Sequence, residues 1–195
     1  MPASAKTTPA TDLALIAVFA ALIAAFSLTP AIPVAGGVPI TLQTLAVVLA
    51  GLVLGPVRGF LAALLYVLVG MAGLPVFAGG TGGLGVLIKP SIGYLIAFPL
   101  GALVAGALAR LFVGWKGPRQ YLGFFLAGLA ASLVIHALGI VGLVAVAKLT
   151  PVAAFVADLA FWPGDLVKMF AAAAVAVAVH RAFPALLATR RPVTA

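Results

Sequence analysis

Asp165 and Lys168 stand three residues apart in the segment FWPGDLVKMF (161–170), inside a largely apolar run from 151 to 183. On a helix, residues three apart share a face, so a carboxylate and an ammonium would lie side by side. Trp162 and Asp158, three and seven positions before Asp165, extend that face towards one end of the run. At the centre of a membrane helix a charged residue costs about 2.5–3.5 kcal/mol. The chain has only three acidic residues, and two of them fall on this stripe. Such a pair could hold a ligand that offers both donors and acceptors, act as acid and base in a reaction, or switch protons. A structural ion pair is the plain alternative, but desolvation removes most of what such a pair gains. A functional use is therefore expected.

Two other stretches could join it. In VAGGVPITLQTLAV (34–47), Thr41, Gln43 and Thr44 stand at the entrance to a short apolar segment. The Gln43 amide can both donate and accept hydrogen bonds, with helix capping by Thr41 and an interhelical bond from Gln43 as the structural alternative. GLPVFAGGTGGLGVLIKPSIGY (73–94) is a glycine-rich connection, longer than loops usually are unless they bind or cover something. Gly80, Gly82 and Gly85 satisfy GxGxxG, yet no strand precedes them, so a dinucleotide site is excluded by context. Its glycines permit close backbone approach to a ligand, and Phe77, Leu84 and Val86 could form an apolar lid. Lys89 is a lone cation at its far end, with snorkelling to the membrane surface as the ordinary alternative. His136 and His180 are far apart along the chain, so no metal site is expected. Ser91 and Ser132 have no evident base.

These residues need a scaffold, and composition supplies its class. Hydrophobic residues make up 65% of the 195, charged residues 7%, and the mean hydropathy is +1.33. Soluble domains carry about 25% charged residues, so this is an all-α membrane protein. The absence of cysteine excludes disulfides, thiol catalysis and cysteine-ligated metals. Six spans are expected near 12–33, 41–55, 57–74, 90–113, 120–147 and 151–183. The second is short, so it should be tilted or partly covered by loops. The sixth exceeds one bilayer width, so it should kink or break at Pro163-Gly164. Short tails (1–11 and 184–195) flank the six-helix domain (12–183). The first span is too long for a signal-peptide core and lacks a cleavage site, so it is expected to stay in the mature chain.

The net charge of +8 speaks for cytoplasmic loops rather than nucleic acid. With both termini inside, Lys6, Arg58, Arg110, Lys116, Arg119, Arg181, Arg190 and Arg191 are cytoplasmic, and only Lys89 and Lys148 are outside. In the first span, Ala17, Ala21 and Ala25 recur every four residues as a small-residue stripe, with Ala20 and Ala24 as a second such stripe. Either suits close packing against a helix of this chain or of a partner.

VPITLQTLAVVLAG (38–51), GLPVFAGGTGGLGVL (73–87) with the following Gly93-Tyr94, and FWPGDLVK (161–168), in this order, resemble the BioY family. Its members are the biotin-specific S components of energy-coupling-factor (ECF) transporters. The likeness runs from about residue 12 to 183. It implies a six-helix bundle in a bacterial plasma membrane, both termini inside, with a biotin pocket open to the outside. It further implies a second membrane protein and two ATPases as partners that topple the S component to release its ligand, although uptake without partners is also allowed. No cofactor and no catalytic residue is implied.

By this resemblance Asp165 and Lys168 stand where the family's last-helix acid and base contact biotin. The ureido ring of biotin offers N–H donors to a carboxylate and a carbonyl to an ammonium, and charge-assisted hydrogen bonds of this kind are strong. Lys168 could instead face the valerate carboxylate. Gln43, Gly79, Gly80 and Tyr94 fall in the matching entrance, lid and fourth-helix motifs, while Trp162, Phe161 and Tyr94 would supply aromatic walls. Ala17, Ala21 and Ala25 correspond to the face that S components offer their coupling protein. AGGTGG departs from the asparagine-containing lid usual in the family, which implies backbone N–H groups in its place. KPSIGY departs from the usual GPTGGY and leaves Lys89 without a role. Two other functions compete: a proton-coupled solute carrier switched by the Asp165–Lys168 pair, and an intramembrane lipid-modifying enzyme with Asp165 as acid or base.

Overall fold

The computed structural model describes residues 8–32 and 37–187; Lys6, Arg190 and Arg191 lie outside them. Among the described residues seven α-helices follow one another: α1 (Pro9–Ser27), α2 (Gln43–Leu54), α3 (Pro56–Met71), α4 (Ile92–Phe112), α5 (Pro118–Ala145), α6 (Pro151–Leu159) and α7 (Trp162–Ala182). Among the described residues α1, α4, α5 and α7 are long and apolar enough to cross a membrane, while α2 and α3 are shorter apolar helices. Five of the seven carry proline in their first turn, where the missing N–H has no intrahelical partner to lose and φ is already set.

Three boundaries differ from expectation. Helix α1 starts three residues early, because the Thr8 side chain accepts the Thr11 N–H and Pro9 follows it. It also ends at Ser27 rather than 33: Thr29 turns its hydroxyl back onto the Phe26 carbonyl and Pro30 cannot continue the helix. The last apolar run is two helices. The break falls at Ala160-Phe161, just ahead of the expected Pro163-Gly164, because a proline ring clashes with the carbonyl four residues before it. Asp158 therefore sits on α6 and not on one continuous stripe with Asp165.

Helix α2 is the axis of the bundle. It packs against α1, α3, α4, α5 and α7, and every residue from Ala46 to Leu54 is buried. A helix apolar on all sides belongs in such a core; its cover comes from helices, not from the loops foreseen for it. The helices α4 and α5 meet at Gly93 and Gly142, where a β-carbon on Gly93 would stand 2.3 Å from the Leu138 carbonyl oxygen. One turn away, Gly139 leaves room for the ring of Tyr94, whose Cε1 lies 2.2 Å from where a β-carbon would be. This contact sets Tyr94 beside His136 at a centroid separation of 6.2 Å.

At the opposite end of the bundle the chain folds back after α7. Leu187 is buried, and the Arg58 guanidinium donates to the Leu186 carbonyl at 2.9 Å while pairing with Asp12 at 3.3 Å. The stretch 184–187, expected as tail, is thus part of the fold.

Candidate functional site

Between the start of α2, the loop joining α3 to α4, and the first turns of α4 and α7 lies a cavity of about 330 Å³. That volume is in the range of small-molecule sites. Apolar walls come from Val38 and Pro39, from Phe77 and Val86 of the loop, and from Leu95, Phe98 and Phe161. Polar groups enter from Thr41, Gln43, Thr44, Lys89, Tyr94, His136, Asp165 and Lys168.

Asp165 lies in the first turn of α7, where the helix dipole favours a carboxylate. Its Oδ1 accepts from Lys168 Nζ at 2.6 Å and from the Thr44 hydroxyl at 3.0 Å. Lys168 Nζ also donates to Thr44 Oγ1 at 3.2 Å. The pair inferred from sequence is therefore real, buried, and tied to α2 through Thr44. Asp165 Oδ2 lies 2.9 Å from His136 Nε2, and the other ring nitrogen, Nδ1, lies 2.7 Å from Asp158 Oδ1. Asp158 is itself held by the Tyr94 hydroxyl at 2.7 Å and by the Trp162 indole N–H at 3.2 Å. Each of the two His136 contacts joins a nitrogen to a carboxyl oxygen, so each needs one proton. With those two protons and a charged Lys168, the four residues Asp158, His136, Asp165 and Lys168 sum to zero charge, whichever atom carries each proton.

Gln43 opens α2 at the cavity wall. Its amide nitrogen donates to the Tyr66 hydroxyl at 2.5 Å and its carbonyl accepts from the Thr41 hydroxyl at 2.9 Å. Phe77 is buried in the loop, with its ring over Gly70 and edge-on to Tyr66 at 5.6 Å. The loop is pinned there by reciprocal Phe77–Thr81 backbone bonds and by the Ser27 hydroxyl on the Val76 carbonyl.

Five of the eight binding residues read from sequence (Asp165, Lys168, Gln43, Tyr94 and Phe77) line the cavity together. Gly79, Gly80 and Trp162 are not among its lining residues. Both glycines have φ near +70° and sit at the tip of the Phe77–Thr81 turn, where a β-carbon would meet nothing within 4 Å. They shape the turn that presents Phe77 and Thr81 rather than lying against the cavity. Trp162 stacks on His136 with centroids 4.6 Å apart and turns its N–H to Asp158; Phe161 forms the wall instead. Ala17, Ala21 and Ala25 are all exposed on α1, while Ala20 and Ile23 face the bundle.

His136 escaped the sequence reading, because it was weighed only as a metal ligand against the distant His180. The signal was available: it is the one titratable side chain within α5 beyond its first turn, and an ionisable residue inside a membrane helix is a candidate for function by default. It also raises the ionisable cluster from three groups to four.

The family model described as "BioY family" matches residues 1–185. This chain belongs to the BioY family. Among BioY relatives, a protein of Rhizobium etli named biotin transporter BioY is 43% identical over 90% of this chain and 96% of its own length. One of Rhodobacter capsulatus with the same name is 42% identical over 92% and 98%. The crystal structure of an S-component for biotin from an ECF-type ABC transporter superposes with a TM-score of 0.83, covering 90% of this chain and 95% of that one at 24% identity. At that identity the likeness is one of fold, and this BioY chain has the fold of an S component. With four helices able to span a bilayer, it is a multi-pass membrane protein.

Proposed function

We propose that this chain binds biotin in the cavity and is the substrate-binding membrane component for its uptake, not an enzyme. Its relatives across nearly the full length are named biotin transporters. The observation that supports the cavity as the place is the juxtaposition of Asp165, Lys168 and Gln43 in one cavity that also has apolar walls. Among the described residues Asp165 Oδ2 has His136 as its one hydrogen-bond partner, so a lone pair remains for a ureido N–H. Lys168 and the Gln43 amide can meet the ureido carbonyl.

The chain crosses a bacterial plasma membrane six times in this reading, with α6 and α7 sharing the last passage and both termini inside. Connectivity supports it. Arg58 starts α3, Arg110 ends α4, Lys116 and Arg119 flank the next turn, and Arg181 ends α7, all at the end away from the cavity. The cavity end has Lys89 and Lys148. Cations gather on the cytoplasmic side, so the cavity faces out. ATP hydrolysis belongs to partner ATPases, joined through a coupling membrane protein that docks on the exposed Ala17, Ala21, Ala25 stripe.

Equilibrium binding of biotin to the purified protein in detergent tests the core of this. Saturable binding without any ion gradient is expected, which a proton-driven carrier or a lipid-modifying enzyme would not require. No binding would end the biotin assignment. For the docking face, Ala21→Trp should leave biotin affinity within twofold and cut co-purification of a co-expressed coupling protein and ATPases at least fivefold. Undiminished co-purification would place the partner elsewhere.

A further inference from the structure

The cavity holds two cations, and they are not equivalent. Lys168 is committed, bonded to Asp165 at 2.6 Å and Thr44 at 3.2 Å, and its charge completes the neutral set with Asp158 and His136. Lys89, half-buried at the end of the α3–α4 loop, lines the same cavity and has no hydrogen-bond or ion-pair partner for its side chain among the described residues. The chain cannot supply an acidic side chain either. Of its three acidic residues, Asp12 pairs with Arg58, while Asp158 and Asp165 belong to the buried network.

We infer that Lys89 is the anion-recognising residue of the cavity, taking the carboxylate end of an acid whose other, uncharged end meets Asp165 and Lys168. The inference rests on the biotin reading and fixes the direction in which the ligand lies. A carboxylate placed at Lys168 would add an uncompensated negative charge to a cluster that is already neutral, beside the buried Asp165. Placed at Lys89 it meets an uncompensated ammonium. The network then remains neutral and the second pair is neutral as well. The inner end of the ligand must therefore be polar without charge, and the outer end anionic. Lys89 thereby becomes a selectivity element that favours free acids over their amides and esters.

The test uses the full chain in detergent, with biotin and the uncharged biotin amide as ligands. The parent should bind biotin at least tenfold more tightly than the amide. Lys89→Met should erase that gap by weakening biotin alone, and Lys89→Arg should preserve it. Lys168→Met should weaken both ligands alike and keep the gap. If Lys89→Met keeps the gap, weakens both ligands equally, or leaves biotin untouched as a lysine snorkelling to lipid headgroups would, Lys89 does not read the carboxylate. Loss of the gap in Lys168→Met would transfer the role to that residue. A parent that binds neither ligand defeats the biotin reading itself, a result no Lys89 variant can mimic.

Discussion

Asp165→Asn is expected to weaken biotin binding by about a hundredfold, roughly 2.7 kcal/mol, and to lower the apparent melting temperature in detergent. The asparagine can still accept from Lys168 or from His136, but its NH₂ group must face the other, donor against donor. Lys168 then loses its counter-charge at a position only 8% exposed. Stranding one member of a buried pair typically costs about 3–5 kcal/mol, whereas removing both members is far milder. The double variant Asp165→Asn, Lys168→Met should therefore melt closer to the parent than either single variant, because Asp158 and His136 still form a balanced pair. It should not regain biotin. That separation divides a ligand contact from a structural brace: parent-like affinity in the double variant would make the pair a brace and send the search for ligand contacts to Gln43 and Thr44.

The second large effect is expected at His136. Among the described residues its two nitrogens are the only bridge between Asp158 and Asp165, which are 1% and 3% exposed. In His136→Leu both carboxylates keep other partners, Tyr94 and Trp162 on one side and Lys168 and Thr44 on the other. The cluster, however, is left with one surplus negative charge at buried positions. We expect about 3–5 kcal/mol of lost stability and at least a tenfold loss of biotin affinity, since Asp165 Oδ2 is no longer held. His136→Gln, which keeps a donor for one of the two carboxylates, should fall between leucine and the parent in both measurements. Unchanged melting and binding in His136→Leu would reduce the histidine to an aromatic spacer beneath Trp162.

The helices were legible because their signals are local. Apolar runs marked the spans, and prolines at positions 9, 56, 118, 151 and 163 mark first turns. The Asp165–Lys168 pair was legible for the same reason, since three residues along a helix is a contact. What was not legible depends on packing between elements distant in sequence. Thr44 reaches Asp165 across 121 residues, and nothing in either segment specifies that approach. His136 lies opposite Asp158 because α6 packs back on α5 and the chain breaks at Ala160-Phe161. Gly79 and Gly80 have conformations that serve a turn, and sequence does not distinguish that use of glycine from close approach to a ligand.

The neutrality of the Asp158, His136, Asp165, Lys168 cluster has an electrical meaning. A unit charge carried across the full membrane potential changes in energy by about 2.3 kcal/mol per 100 mV. Any rotation of this bundle within the bilayer moves the cluster through part of that field, yet four charges that cancel do almost no electrical work. The same holds for an ammonium at position 89 once an anion sits on it. The loaded site thus adds almost nothing to the electrical work of such a rotation, whereas the empty site adds that of one unbalanced positive charge.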